Sequence, residues 1–308
     1  MRDLGPWQHH HLFGTDVPAR GERRTRWVVG ITLAMMAGEI VAGTAYHSMA
    51  LLADGWHMGT HAAALGVALF AYVYARRHAG DARYSFGTGK VGALGGFASA
   101  VGLAVVALLV LGESAARLAS PVAIRFDQAI AVAVLGLAVN VGCALLLRDP
   151  GHGHHQDHHH DHNLRAAYLH VLADALTSVL AIAALLAGRG LGWIWMDPVM
   201  GVVGALVIAR WSLALLRETG RVLLDGEVPP ARREAIVRAI ESAADARIAD
   251  LHVWRVGPRH LAAIVSVVTA RPREPDYYRS LLAAFDDLAH VTVEVNGVAG
   301  PGPGAPFA

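Results

Sequence analysis

The chain has 308 residues, of which 54% are hydrophobic and 17% are charged, and its mean hydropathy is +0.40. This balance is too apolar for an ordinary soluble domain of this length and indicates a membrane protein. A net charge of +1 with scattered basic residues argues against a nucleic-acid partner. Cys143 is the only cysteine, which excludes a disulfide framework and a thiolate cluster, so a bound metal would need His, Asp or Glu.

Six hydrophobic segments follow one another, each close to the roughly 20 residues that cross the hydrocarbon core as a helix. Residues 1–26 are polar and lack the apolar core of a signal peptide, so the first hydrophobic segment is expected to remain as a spanning helix. The transmembrane domain is predicted over 27–216, with spans at 27–46, 50–74, 91–114, 128–147, 164–187 and 197–216.

The chain changes character after residue 216. Residues 217–298 are predicted to form a charged, soluble domain with a helix in "ARREAIVRAIESA", strands in "IADLHVWRV" and "LAAIVSVVTA", a helix in "PDYYRSLLAAFDDL" and a strand in "HVTVEV". This αββαβ order is typical of a small α+β domain. The Gly/Pro-rich tail, 299–308, is predicted to be disordered.

The basic residues of the short loops predict the orientation, because Arg and Lys accumulate on the cytoplasmic side. One side of the predicted bundle carries Arg20, Arg23, Arg24, Arg26, Arg76, Arg77, Arg83, Lys90, Arg217 and Arg221, and the other carries Arg117, Arg125 and Arg189. Both termini are therefore predicted to be cytoplasmic. The His-rich segment 148–163 then lies in a cytoplasmic loop as well.

Two of the predicted spans carry pairs of ionisable side chains. His57 and His61 lie four residues apart in the second, and His170 and Asp174 have the same spacing in the fifth. A four-residue step places both side chains of a pair on one helix face. A charged group at the bilayer centre costs about 2.5 to 3.5 kcal/mol, so such groups face the bundle interior and find partners.

Counting from opposite helix ends places His61 and Asp174 within about a turn of the midplane. Three imidazoles and one carboxylate are suited to zinc, cobalt(II) or nickel(II) more than to calcium or magnesium. The alternative is that these groups hydrogen-bond between helices without binding metal. Asp54, one turn before His57, is a candidate ligand, acceptor for an imidazole N–H or helix-packing group, and the acceptor role is favoured. Glu39 and Asn140 are interpreted as packing or hydration groups more than as ligands.

The predicted loop between the fourth and fifth spans carries seven histidines. Such a tract binds transition metals weakly and in many geometries, and it can raise the local metal concentration. The alternative is a flexible linker without a role in transport. The histidines are His152, His154, His155, His158, His159, His160 and His162.

These features together resemble the cation diffusion facilitator family of metal exporters. The motifs that carry the resemblance run from "EIVAGTAYHSMALLADGWHM" through "LHVLADALTS" and "DPVMG" to "DLHVWRV". Within the family, "LADGWHMGTHAAAL" and "GKVGALGGF" resemble the bacterial branch associated with cobalt and nickel efflux.

The resemblance implies a bacterial inner-membrane homodimer with ferredoxin-like cytoplasmic domains, which exports a divalent cation in exchange for protons. It assigns the transported ion to His57, His61, His170 and Asp174. Many zinc-transporting relatives carry aspartate where this chain has His61, so cobalt or nickel is favoured and zinc is not excluded. Relatives with metal sites in the soluble domain carry a histidine at the position of Ala249, so the resemblance does not predict such a site here.

The resulting prediction is a transporter without a prosthetic group that works by alternating access, with protons and metal competing for the same ligands. One rival is an intramembrane metal-dependent hydrolase, for which Asp54 is the candidate base and no HExxH motif is present. A second rival is a metal receptor that transports nothing.

Overall fold

The computed structural model describes residues 22–147, except 79 and 82, and residues 160–298, except 227, 244 and 259. The predicted disordered tail and most of the predicted His-rich loop lie outside this range. Six long helices come first in the described chain, and they are α1 Glu22–Tyr46, α2 Met49–Arg77, α3 Val91–Ala119, α4 Phe126–Leu147, α5 His160–Leu191 and α6 Met196–Leu223.

The six helices coincide in order with the six predicted segments. Helix α5 begins at His160, four residues before the predicted start, so the last residues of the predicted His-rich loop are helical. Two of the described helices, α3 and α6, are long and apolar enough to cross a membrane. The number of spans stays a prediction.

Residues 22–67 and 98–216 form one compact unit. Helices α1 and α2 are joined by a short turn and pack closely through glycines. A Cβ added at Gly43 would lie 2.8 Å from the backbone nitrogen of Leu52, and one at Gly59 would lie 3.2 Å from the Met36 sulfur. The contacts step backward along α1 as they advance along α2, so the two helices are antiparallel. Small residues allow this close approach.

Helices α4 and α5 continue the alternation of direction within the same unit. The backbone N–H of Arg125, just before α4, donates to the carbonyl oxygen of Tyr46 at the end of α1, at 3.1 Å. At the start of α4, Asp127 forms an ion pair of 2.9 Å with Arg189 near the end of α5. Helix α4 is therefore antiparallel to both α1 and α5. It follows that α5 is antiparallel to α2.

Helix α6 begins beside the start of α2, where the Asp197 carboxylate accepts three hydrogen bonds. The donors are the Ser48 hydroxyl at 2.6 Å and the backbone N–H groups of Met49 at 2.7 Å and Ala50 at 3.1 Å. These groups belong to the first turn of α2 or just precede it, where helix N–H groups lack intrahelical partners. Asp197 thus caps a helix that begins 148 residues earlier in the chain.

The second compact unit combines 217–298 with 68–97, so it includes the connection between α2 and α3. Its elements after α6 are α7 Pro230–Glu241, β1 Arg247–Gly257, β2 His260–Thr269, α8 Pro275–Leu281 and β3 Leu288–Gly297, in the predicted αββαβ order. The sheet order is β1-β2-β3, with β1 antiparallel and β3 parallel to β2.

The core of this small domain is apolar. One face of the sheet packs against α7 and α8, and the cluster includes Ile236, Ile240, Val265, Val267 and Tyr278, which are fully buried. The strands alternate as a half-buried sheet requires, since Leu251 and Val253 face this core and Asp250 and His252 do not.

Helix α8 is shorter than the predicted helix over "PDYYRSLLAAFDDL", because it ends at Leu281. The chain then makes two tight turns, in which the N–H of Phe285 bonds to the Leu282 carbonyl and that of Leu288 to the Phe285 carbonyl. Strand β3 must begin at Leu288 to pair with β2 from Leu261 onward. The turns and the first ladder residue, Leu288, therefore occupy the end of the segment that the apolar pattern assigned to the helix.

Candidate metal site

The described part of the predicted site centres on Asp54 and His57 in α2, and both side chains are buried. The Ser178 hydroxyl of α5 donates a hydrogen bond of 2.8 Å to Asp54 Oδ2. The His57 ring lies 5.3 Å from the Trp211 ring of α6, measured between centroids, with the planes tilted by 55°. Helix α2 therefore directs these two polar side chains into the interior of the helical unit, toward α5 and α6.

The other three predicted ligands lie on described helices, but their side chains are outside the described residues. His61 belongs to α2, one turn after His57, and His170 and Asp174 belong to α5. Among the loop histidines, His160 and His162 lie in the first turn of α5. The other five, His152, His154, His155, His158 and His159, fall outside the described residues. All these assignments stay predictions.

Ser178 is a residue of this region that the sequence interpretation missed. It follows Asp174 by four residues, so His170, Asp174 and Ser178 share one face of α5. A hydroxyl at that spacing is the sequence signal by which it would have been found. Asp54, predicted as an acceptor for an imidazole N–H, accepts from this hydroxyl, and its predicted role toward an imidazole stays a prediction.

Glu39 of α1 is also in this interior. Its side chain is fully buried, and within the described residues neither carboxyl oxygen has a hydrogen-bond partner. Asn140 of α4 makes a long contact of 3.9 Å from its side-chain nitrogen to the Met58 sulfur. The helical unit thus holds acidic and imidazole groups from α1 and α2 in its interior, with a partly buried amide of α4 beside Met58.

Within its described residues, the sheet domain brings no comparable set of side chains together. His252 is exposed and its Nε2 lies 2.6 Å from Asp250 Oδ2. His290 packs its ring edge-on against Phe86, 5.5 Å between centroids, and His260 is half-buried at the start of β2. Among the residues that the structure describes, no group of three or more His, Cys, Asp or Glu side chains is arranged to hold a metal ion.

Comparison with known proteins gives one family and several relatives of nearly full length. Residues 27–224 match the cation efflux transmembrane domain. The chain is 31% identical over 295 residues to the zinc transporter ZitB of Escherichia coli K12, covering 93% of this chain and 91% of the relative. It is also 31% identical over 287 residues to the metal cation efflux system protein CzcD of Cupriavidus metallidurans, covering 91% of this chain and 88% of CzcD.

The name of a third relative states its counter-ions. The cadmium, cobalt and zinc/H(+)-K(+) antiporter of Bacillus velezensis is 30% identical over 253 residues, which cover 80% of this chain and 76% of the relative. The names of these relatives include zinc, cadmium and cobalt. They do not single out the cobalt and nickel branch that the sequence motifs resemble.

Proposed function

This chain belongs to the cation diffusion facilitator family of divalent metal efflux transporters, and from this premise we propose how it carries its ion. The protein is an integral membrane transporter in a bacterial membrane and not an enzyme, which removes the hydrolase and the receptor without transport as alternatives. In the proposal, His57, His61, His170 and Asp174 bind the transported ion. The ion leaves the cytoplasm in exchange for protons.

The hydrogen bond between Ser178 and Asp54 is the observation that carries the ligand assignment. It brings the fourth residue after Asp174 against the third residue before His57, with both side chains buried. Because α2 and α5 are antiparallel, one turn forward along α2 corresponds to one turn backward along α5. If this register continues from the Asp54–Ser178 contact, we expect His57 opposite Asp174 and His61 opposite His170, and this expectation supports the proposal of one shared four-ligand site.

The ligand types favour a transition metal bound in tetrahedral geometry. Neutral imidazole nitrogens and a carboxylate oxygen suit zinc and cobalt(II), at ligand distances of about 2.0 to 2.2 Å for zinc. We propose zinc and cobalt as shared cargo, in line with the names of the relatives. Compared with an aspartate at the same position, His61 gives the site less negative charge and a softer ligand, so it should shift the preference toward cobalt and nickel.

Proton exchange follows from the same ligands. An unperturbed imidazole titrates near pH 6.5, so a proton and a metal ion compete for one nitrogen within a physiological pH gradient. Release of the ion outward and rebinding of protons there would then return the site to its starting state. The family also implies a homodimer with both termini in the cytoplasm, which cross-linking in membranes and protease access from one side would test.

The direct test is uptake of zinc or cobalt into liposomes that contain the purified protein. Loss of an outer-shell partner of a metal ligand already costs about 10- to 100-fold in affinity, so Asp174→Ala should reduce uptake by at least that factor. Asp127→Ala removes a largely exposed carboxylate of α4 and should leave uptake unchanged. Undiminished uptake by Asp174→Ala would contradict the ligand assignment.

The same liposomes can identify the transported metal and the counter-ion in separate experiments. Cobalt, nickel, zinc and cadmium are offered in turn, with an imposed proton or potassium gradient. The wild type should respond to the proton gradient, and His61→Asp should raise the ratio of zinc to cobalt uptake. Equal uptake with and without the proton gradient would contradict antiport with protons, and an unchanged ratio would contradict the role of His61 in selectivity.

A further inference from the structure

Glu39 is a buried acidic side chain for which the proposed metal site has no use. It lies in α1, its residue is completely inaccessible to solvent, and within the described residues both carboxyl oxygens lack a hydrogen-bond partner. Buried polar groups are otherwise almost always hydrogen-bonded, so each exception asks for an explanation. The long, flexible side chain could also have turned away from the interior, and it does not.

Two glycines on neighbouring helices make room for the Glu39 side chain. A Cβ at Gly136 of α4 would overlap Glu39 Oε1, and a Cβ at Gly55 of α2 would lie 3.0 Å from the Glu39 Cβ. Any larger residue at position 136 would occupy the space of the carboxyl oxygen. The two glycines therefore form a cradle that accommodates the Glu39 side chain, with α2 and α4 as its walls.

The charged surroundings of Glu39 do not favour a carboxylate ion. On the α2 side, Asp54 is the charged residue that acts on it, and two nearby carboxylates repel each other. On the α4 side, the described wall is Gly136. Within the described residues an ionised carboxylate in this place has no hydrogen-bond donor, and burying a charge without one is strongly unfavourable. A neutral carboxyl group, with its proton, avoids this cost.

We propose that the Glu39 carboxyl group carries one of the protons exchanged for metal. Asp54, adjacent to the cradle residue Gly55, shares a face of α2 with His57 one turn later, so a divalent ion held by His57 adds positive charge within the same helical interior as Glu39. That charge favours the carboxylate, and the proton leaves Glu39 for cytoplasmic water during inward-facing metal binding. After outward release of the ion, a proton from outside returns to the same oxygen. This step rests on the proposed function.

The test counts protons released when zinc binds to the purified full-length protein. Calorimetric titrations at one pH, in buffers with different ionisation enthalpies, give the number of protons per zinc. Glu39→Gln keeps the shape of the protonated side chain and should still bind zinc, with about one proton fewer released. Glu113→Gln, which alters the half-exposed carboxylate that pairs with Arg117 in α3, should release the wild-type number.

The two proposals fail in distinguishable ways. If the wild type binds no zinc or releases no protons, the proposed function is overturned. If the wild type releases protons and Glu39→Gln releases the same number, the role of Glu39 is overturned while the metal site stands. Both results are read on protein that elutes as a single folded species.

A measurement on the wild type keeps the inference testable if Glu39→Gln does not fold. The infrared difference spectrum between zinc-bound and zinc-free protein should show loss of a protonated-carboxyl band. Glu39→Asp retains a carboxyl group and should shift that band. If no protonated carboxyl group disappears on zinc binding in the wild type, the inference is overturned.

Discussion

The helical unit buries acidic and imidazole side chains beside its apolar clusters, whereas the buried cluster of the small sheet domain is apolar. In the sheet domain, the buried cluster consists of apolar side chains such as Ile236, Val265 and Val267. In the helical unit, buried positions include Glu39, Asp54, His57 and Asp197, whereas large apolar side chains such as Leu108 are up to 68% exposed. The contrast follows from the solvent, because lipid accommodates an apolar exterior and leaves polar groups to partner one another inside.

The largest effect of this contrast is expected at Asp197, a buried carboxylate that serves three donors. Asp197→Ala leaves the Ser48 hydroxyl and the N–H groups of Met49 and Ala50 without their acceptor. A buried unsatisfied donor costs about 1 to 3 kcal/mol, so the variant should lose at least about 3 kcal/mol of unfolding free energy. The measurement is the thermal unfolding midpoint in detergent.

Asp127→Ala provides the matched comparison for this prediction, since Asp127 is 68% exposed in its side chain and forms a surface pair with Arg189. Exposed pairs contribute about 0 to 1 kcal/mol. If Asp197→Ala and Asp127→Ala were equally stable, the buried polar groups of the helical unit would contribute no more to the unfolding free energy than those on its surface, contrary to the prediction.

A smaller effect is expected where the α2–α3 connection meets the sheet domain inside the second compact unit. A Cβ at Gly89 would overlap the Val256 carbonyl oxygen and lie 2.8 Å from the Gly257 Cα. Both atoms are backbone and cannot rotate away, so Gly89→Ala should separate the connection from β1 at a cost of about 1 to 3 kcal/mol. Hydrogen exchange of the amides around Val256 should become faster.

Gly80→Ala is the control for that change, because a Cβ at Gly80 would meet nothing within 4 Å. It should leave the exchange of the β1 amides as in the wild type. The neighbouring contact of Phe86, whose ring meets Trp254 edge-on at 5.6 Å between centroids, gives a second readout through tryptophan fluorescence. If the amides around Val256 exchange no faster in Gly89→Ala than in Gly80→Ala, the contact with Val256 does not hold the connection in place.

The elements of both regions could be predicted from the sequence, because each pattern is local. Runs of about 20 apolar residues indicated the six helices in the right order, and alternation indicated the strands of the sheet domain. The end of α8 was predicted too late, because pairing of Leu261 with Leu288 is a contact between distant residues. Local periodicity carries no information about where a strand partner begins.

The polar interior could be predicted only in part, for the same reason. His57 and Asp54 were identified as interior groups, since an ionisable residue in an apolar helix needs a partner. The hydroxyl partner of Asp54 could not be identified, because Ser178 lies 124 residues away. The same is true of Asp197, which accepts from Met49 across 148 residues. Glu39 was interpreted as a packing or hydration group. The space that its carboxyl group occupies depends on Gly136, a residue without a side chain on another helix.

A still smaller effect tests the apolar interior of the sheet domain. The Tyr278 hydroxyl is buried and has no hydrogen-bond partner within the described residues, whereas the Tyr277 hydroxyl donates to the Ala243 carbonyl at 3.3 Å. Tyr278→Phe should therefore be neutral or stabilising by up to about 1 kcal/mol, and Tyr277→Phe should lose about 0.5 to 1 kcal/mol. Denaturant unfolding of both variants measures the difference, and destabilisation by Tyr278→Phe would indicate a partner for that hydroxyl.

The smallest effect concerns a charge in the α2–α3 connection, outside the helices. Hydrogen bonds from the Arg83 side chain and backbone N–H lower the pKa of Asp81 from 3.8 to about 2, with Nη2 of Arg83 2.6 Å from Asp81 Oδ2. Because the folded-state pKa is lowered, the stabilisation is present above pH 3.8 and is lost as the pH falls toward 2. NMR titration of the Asp81 carboxyl carbon should give the low value in the wild type and a value near 3.8 in Arg83→Gln. An unchanged pKa in the variant would mean that groups other than Arg83 stabilise the Asp81 carboxylate. The exposed connection would then depend on longer-range contacts, as the helical interior does.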